Sequence, residues 1–243
     1  LLSVEEVGVG RLVKEAVLAV RRSHRGGNTH LGIALLLVPL AVAAGWRLGS
    51  GKNNRTLGFF ARRVLAVATV EDSAGVFDAI RIARPGGLGK SRLDVRDVRS
   101  KGILRRLNMS LLKLMKYSSG RDMVARELAS GMPVVFKFVV PNLKLNLEKT
   151  KNIKKAITQT YLQTLAKYPD TLIARKAGMK KAKTVSGMAL AVLKAGGVYT
   201  ALGRGNMMEF DRQLRSDGNK LNPGTTADLI AAGLFIRLLE KGV

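Results

Sequence analysis

The sequence has no cysteine. That excludes a disulfide framework and any thiolate metal site, and it suits a reducing compartment, so a cytoplasmic setting is expected. Aromatic residues make up only 5% of the 243 residues. The interleaving of stacking platforms with cations that marks single-strand nucleic-acid binders is therefore missing. Acids are scarce as well: 17 Asp and Glu stand against 42 Lys and Arg, a formal net charge of +25. Such an imbalance points to polyanionic partners, whether nucleic acid, phosphorylated small molecules or an anionic surface. Thermophilic surfaces are rich in Lys and Arg too, but they normally balance the two signs. The longest apolar run, residues 31–45, is short for a membrane span and contains Pro39, and its flanks do not resemble a signal peptide. No membrane partner is expected. Leu1 rather than methionine stands first, from which upstream residues are expected to be missing.

What is present is core-forming. Apolar residues account for 47% of the chain, ample for a packed interior. Nearly every segment repeats its apolar positions with helical period, and no two strand-like runs are joined by a hairpin turn. Helices are expected at about residues 3–22, 31–44, 56–69, 73–84, 103–116, 150–167, 180–195, 205–217 and 225–241. Residues 132–147 read as helix interior despite the β-branched run between Pro133 and Pro141. The expectation is an all-α fold, a single-domain multi-helix bundle of about nine or ten helices over residues 1–243.

Three glycine-containing junctions lead into or out of helices and carry polar side chains. The last, Asn222-Pro223-Gly224-Thr225-Thr226-Ala227-Asp228, turns sharply and feeds an apolar helix. A helix start presents unpaired N–H groups and a positive dipole end that suit phosphate, with Asp228 about one turn in to hold a metal ion. The same spacing, Thr225 followed by Asp228, also fits a plain helix cap. At Gly26-Gly27-Asn28-Thr29-His30, Asn28 or Thr29 fits a cap, and His30 is either a packed residue or a proton-transfer group. Pro85-Gly86-Gly87-Leu88-Gly89 fits a phosphate-wrapping loop but matches neither a P-loop nor a dinucleotide fingerprint. Glu71 and Asp72 fit either a magnesium pair or a cap for the next helix. Gathered at one end of a bundle, the three junctions would line one phosphate pocket.

Together these segments resemble the ATP-dependent triphosphoribosyl-dephospho-CoA synthases. The resemblance rests on Gly27-Asn28-Thr29-His30-Leu31-Gly32, Pro85-Gly86-Gly87-Leu88-Gly89, Arg121-Asp122 with Ala125-Arg126-Glu127, Pro169-Asp170-Thr171-Leu172-Ile173-Ala174-Arg175-Lys176, and Asn222 to Leu229, in family order across nearly the whole chain. It implies an all-helical enzyme that moves a triphosphoribosyl group from ATP to 3′-dephospho-CoA and releases adenine. Family members usually carry a lysine-proline-glycine segment ahead of the first helix here, and this sequence lacks it.

The chemistry implied asks for particular residues. Departure of adenine from ribose C1 builds oxocarbenium-like charge that a carboxylate stabilises, and a triphosphate needs Mg²⁺ or Mn²⁺ and cationic clamps. The candidate catalytic residues are His30, Asp72 and Asp228. Candidate metal ligands are Glu71, Asp72, Asp170 and Asp228, with Asp122 in reserve. Candidate substrate and phosphate contacts are Asn28, Thr29, Gly86, Gly87, Arg121, Arg175, Lys176, Asn222, Gly224, Thr225 and Thr226. Expected partners are ATP and dephospho-CoA or a similar nucleotide acceptor, with homo-oligomerisation left open. The competing readings are a related ribosyl transferase with another acceptor and a non-catalytic nucleotide- or nucleic-acid-binding protein. Nucleic acid is disfavoured by the absence of any recognisable binding motif.

Overall fold

A computed structural model describes residues 4–23, 30–51, 55–88, 93–216, 218 and 220–240. Among these, every regular element is helical: fourteen α-helices, one π-helical turn and one 3₁₀ turn, with no strand. The all-α reading holds. Two of the expected helices are each broken in two, which raises the count. Gly8, at φ 66°, separates α1 (Val4–Val7) from α2 (Val9–Ser23). Asn108, at φ 42°, lies between α6 (Ser100–Arg106) and α7 (Leu111–Ser118). Asparagine tolerates this left-handed conformation better than most residues.

The chain divides into two compact units, Leu1–Met132 and Pro133–Val243. The first contains α1, α2, α3 (Leu31–Gly49), α4 (Leu57–Val67), α5 (Val70–Ala83), α6, α7 and α8 (Met123–Ser130). Its tightest pairing is α2 on α5, and the reason is glycine. A Cβ on Gly10 would lie 2.0 Å from the Asp72 carbonyl oxygen, and one on Gly75 would lie 2.6 Å from the Gly10 carbonyl carbon. The two backbones touch, which only glycine permits. Val9, Val13, Val17, Val76 and Phe77 pack around that contact as buried residues. Helix α3 is apolar apart from Arg47 in its last turn and, by length and composition alone, long enough to cross a membrane; Leu36, Pro39, Leu40 and Ala43 are on its buried side, while Leu48 is 78% exposed.

The second unit begins with continuous helix. A π-helical turn at Val135–Val139 runs into α9 (Val140–Thr150). Pro141 explains the widened turn: its ring clashes with the preceding turn and it has no N–H to give, and an extra residue in the turn relieves both. Then follow α10 (Ile153–Lys167), α11 (Thr171–Ala177), α12 (Met179–Lys194), α13 (Ala201–Arg215) and α14 (Gly224–Glu240). Leu162, Leu165, Ile173, Ala182, Val185, Ala189, Val192 and Phe210 form one buried cluster shared by α10 to α13. Beside it, Asn146 is buried and fully engaged. Its amide donates to Thr160 Oγ1 at 2.9 Å and to Gln163 Oε1 at 2.8 Å, and its oxygen accepts from the Tyr199 hydroxyl at 2.8 Å.

Candidate functional site

Asp72 stands in the first turn of α5 and is 4% exposed. Helix α5 begins three residues earlier than its apolar period suggests, because Thr69 and Asp72 form a reciprocal capping box. The Asp72 N–H donates to Thr69 Oγ1 at 3.4 Å, and Asp72 Oδ2 accepts from the Thr69 N–H at 2.7 Å and from its hydroxyl at 3.1 Å. The other oxygen, Oδ1, accepts from the Gly10 N–H at 2.8 Å. Gly10 is the second residue of α2, so this N–H is one that its own helix leaves unpaired. One carboxylate thus closes the start of its own helix and the start of another.

Asp170 repeats the device in the second unit. It is the N-cap of α11 and is 2% exposed. Oδ1 accepts from the N–H groups of Leu172 at 2.8 Å and Ile173 at 3.2 Å. Oδ2 accepts from the N–H of Thr226 at 2.7 Å and its hydroxyl at 2.9 Å. Helix α14 starts at Gly224, so the residue before it is Pro223, which has no side-chain acceptor to offer. Thr225 lies inside the helix and does not cap it; Asp170 supplies the missing acceptor from across the fold. Thr171 and Thr225 hydroxyls pair at 3.2 Å beside it. Burial raises the Asp170 carboxyl above its ordinary range, and the bonds from Thr226, Ile173 and Leu172 offset that rise only in part. Because all four contacts are donors, the ionised form is the one this geometry fits.

The remaining candidates are spread more openly. Glu71 is exposed and paired with the Arg105 guanidinium at 2.8 and 2.9 Å; this charge-assisted bond holds its carboxyl below the usual range. Asp122 is the N-cap of α8, accepting from the Ala125 N–H at 3.0 Å. His30 immediately precedes α3, at its N-cap position, and its side chain makes no capping bond to that helix. Gly86 and Gly87 follow α5, Gly87 with φ 74°. Arg121 and Lys176 are exposed, Arg175 is half-buried in α11, Asn222 is exposed, and Asp228 is half-buried in the second turn of α14. Thr225 and Thr226 are both buried. Asn28, Thr29 and Gly89 lie outside the described residues.

One carboxylate was quoted in a motif but not among the candidate site residues. Glu127 is 1% exposed on α8, sharing a buried face with Met123, Val124 and Leu128. A glutamate three and four residues from apolar neighbours on an otherwise apolar helix face was the available signal. Among the described residues no group of three or more His, Asp or Glu could hold a metal ion. Of the four carboxylates expected to bind metal, Asp72, Asp170 and Glu71 have both oxygens engaged by protein donors.

A family model described as ATP:dephospho-CoA triphosphoribosyl transferase matches residues 2–243. A Pseudomonas fluorescens protein described as a 2-(5''-triphosphoribosyl)-3'-dephosphocoenzyme-A synthase is 27% identical over 234 residues, covering 96% of this chain and 68% of that one. A Malonomonas rubra protein of the same description is 30% identical over 152 residues, 58% of this chain and 48% of its own length. A solved structure of an Archaeoglobus fulgidus protein, described as a triphosphoribosyl-dephospho-CoA synthase, superposes with a TM-score of 0.74 at 26% identity. The superposition covers 98% of this chain and 92% of that one.

Proposed function

The chain belongs to the ATP:dephospho-CoA triphosphoribosyl transferase family, and from that premise we propose that it transfers the triphosphoribosyl group of ATP to 3′-dephospho-CoA with release of adenine. The match across residues 2–243 carries this reading, and a cysteine-free chain accords with a cytoplasmic setting. In the reaction a hydroxyl oxygen of the acceptor bonds to ribose C1 while the bond from C1 to the adenine nitrogen breaks. The hydroxyl proton passes to a base, and a proton donor serves the departing adenine.

Asp72 and Asp170 each spend both oxygens on helix starts, so neither is assigned as a metal ligand. On residue type and motif, Asp228 and the buried Glu127 are the candidate carboxylates and His30 the proton-transfer candidate. Arg121, Arg175 and Lys176 are the cationic clamps for the phosphates. A divalent ion fits as a companion of the triphosphate oxygens with Asp228 as its protein carboxylate, because magnesium is satisfied by one or two carboxylates plus phosphates and water. Bound there, it would neutralise charge on the triphosphate.

The test is direct. Purified protein with ATP, Mg²⁺ and dephospho-CoA is assayed for free adenine by chromatography. Acceptor-dependent adenine release is expected; no release with dephospho-CoA or with a panel of related nucleotide acceptors overturns the reading.

A further inference from the structure

The transferase reading leaves one feature unused, the cationic stretch that opens the second unit. Residues 133–169 hold seven Lys and a single acid, Glu148. Against that stretch lies a groove of about 370 Å³ lined by Lys144, Leu147, Glu148, Lys151 and Arg237. Positions 144, 147, 148 and 151 follow helical spacing, so they share one face of α9 and the residue that ends it. Arg237 comes from α14. It lies 12 residues beyond Thr225, about 18 Å along the helix, far from the Asp170 clamp.

Lys144, Glu148 and Lys151 are exposed, as on a solvated basic face; Arg237 is what sets the groove apart. The Arg237 side chain is only 20% exposed, and its guanidinium makes one described bond, Nη1 to Glu240 Oε2 at 2.8 Å. A guanidinium has five N–H groups, so most of its donors lie within the groove wall without a protein acceptor among the described residues. Neither Lys144 nor Lys151 lies within ion-pair distance of a described carboxylate, although Glu148 is their neighbour on the helix. Cations do gather at helix C-termini to offset the negative dipole end. Here, however, the Leu147 carbonyl already accepts from the Lys151 N–H at 2.9 Å, and the Lys144 ammonium sits more than a turn before the helix end.

We propose that this groove is an anion site for the linear oligophosphate group of a small molecule. Three cations and one carboxylate, Glu148, give the wall a net positive charge that matches two or three consecutive phosphates, with Arg237 offering paired donors and the lysines point charges. No aromatic residue lines the groove, so it offers no platform for a stacked base, and a nucleic-acid strand is the poorer fit. The site goes beyond the transferase reading and uses none of the residues assigned to it.

The experiment is calorimetric titration of inorganic tripolyphosphate at low ionic strength. Wild type is compared with Lys144→Ala/Lys151→Ala and with Lys180→Ala/Lys183→Ala, which removes the same charge from exposed positions on α12. The groove pair is expected to lose one molar equivalent of tripolyphosphate binding, or at least tenfold in its affinity, with the control pair within twofold of wild type. ATP and dephospho-CoA are then titrated as competitors to tell a triphosphate from a diphosphate source. No binding by wild type, or equal losses in both pairs, overturns the proposal. So does a single-stranded oligonucleotide that displaces tripolyphosphate and binds more tightly than it. All these readouts are independent of adenine release, so failure of the groove and failure of the transferase reading are distinguishable.

Discussion

Replacing Asp170 with alanine tests the idea that one buried carboxylate holds two helix starts together. The side chain accepts four hydrogen bonds, two from its own helix and two from Thr226. Losing an aspartate N-cap alone costs about 1 kcal/mol. The Thr226 N–H and hydroxyl are buried, and stripping the charged acceptor from them adds about 2–4 kcal/mol, since bonds to charged groups are worth about 1.5–3 kcal/mol each and are not additive. The total expected is about 3–5 kcal/mol, at the severe end for a single substitution.

Asp170→Asn sharpens the reasoning. Asparagine is as good an N-cap as aspartate, so the bonds to Leu172 and Ile173 survive. Its amide group would then face the Thr226 N–H, donor against donor. Asn is expected to cost about half of what Ala costs, and Thr226→Val, which removes only the hydroxyl, about 1–2 kcal/mol. Urea unfolding followed by far-UV circular dichroism measures all three, with the double variant Asp170→Ala/Thr226→Val closing a cycle. A cost below about 1.5 kcal/mol for Asp170→Ala, or full additivity in the cycle, refutes the two-helix clamp. If Asp170 were instead a metal ligand, Asp170→Asn would change the Mg²⁺ dependence of adenine release while leaving stability nearly intact.

The other predictions use different parts of the chain. Gly75→Ala should destabilise by more than about 2 kcal/mol because its Cβ meets backbone at 2.6 Å, although propensity alone favours alanine by about 1 kcal/mol; Gly187→Ala, with nothing within 4 Å, should stabilise, and denaturant melts read both signs. Burial alone would push the Asp78 carboxyl up, but Lys101 and Lys14 outweigh it and hold it below the usual range. A depressed folded value means stability present above the unfolded pKa and lost as pH falls through the folded one, so Asp78→Asn should cost stability at pH 7 and nothing measurable near pH 2; an equal cost at both would remove the ion pairs as its source. Asp228→Asn should lower adenine release by about 100-fold with an unchanged melting curve, and unchanged turnover would remove Asp228 from the site.

How far these devices could be read in advance depends on where their partners lie in the chain. Caps are local, so a helix-start role can be read from spacing alone, as it was for Asp72. Their distant partners cannot: Gly10 lies 62 residues before Asp72, and Thr226 lies 56 residues after Asp170. No local pattern reports a bond that exists only after two helices dock. The same limit explains Thr225, whose spacing to Asp228 imitates a capping pair while the acceptor comes from elsewhere. Gly8 and Asn108 interrupt helices without disturbing the apolar period, so periodicity carried two expected helices straight through them. Glu127 was quoted within a motif and given no role, because its burial on α8 exists only once that helix packs.

The two clamps change where the phosphate chemistry has to be sought. A helix start binds phosphate through unpaired N–H groups and the positive dipole end. At α11 and α14 those assets meet Asp170, which takes N–H bonds from both first turns and brings a negative charge to both dipoles. A phosphate arriving at the same place would meet an anion and find those donors occupied. At α2 and α5, Asp72 stands in the same relation to the Gly10 N–H and the Thr69 cap. At these four helix starts anion binding is therefore disfavoured, and side-chain cations, which the sequence supplies in excess, are the better-suited partners for phosphate. The price is salt sensitivity: clamps made of Arg and Lys at partly exposed positions weaken as ions screen them, where backbone donors in a dry cradle would weaken less. The apparent affinity for ATP should accordingly fall steeply between low and physiological ionic strength, and a flat dependence would return the phosphates to the helix starts.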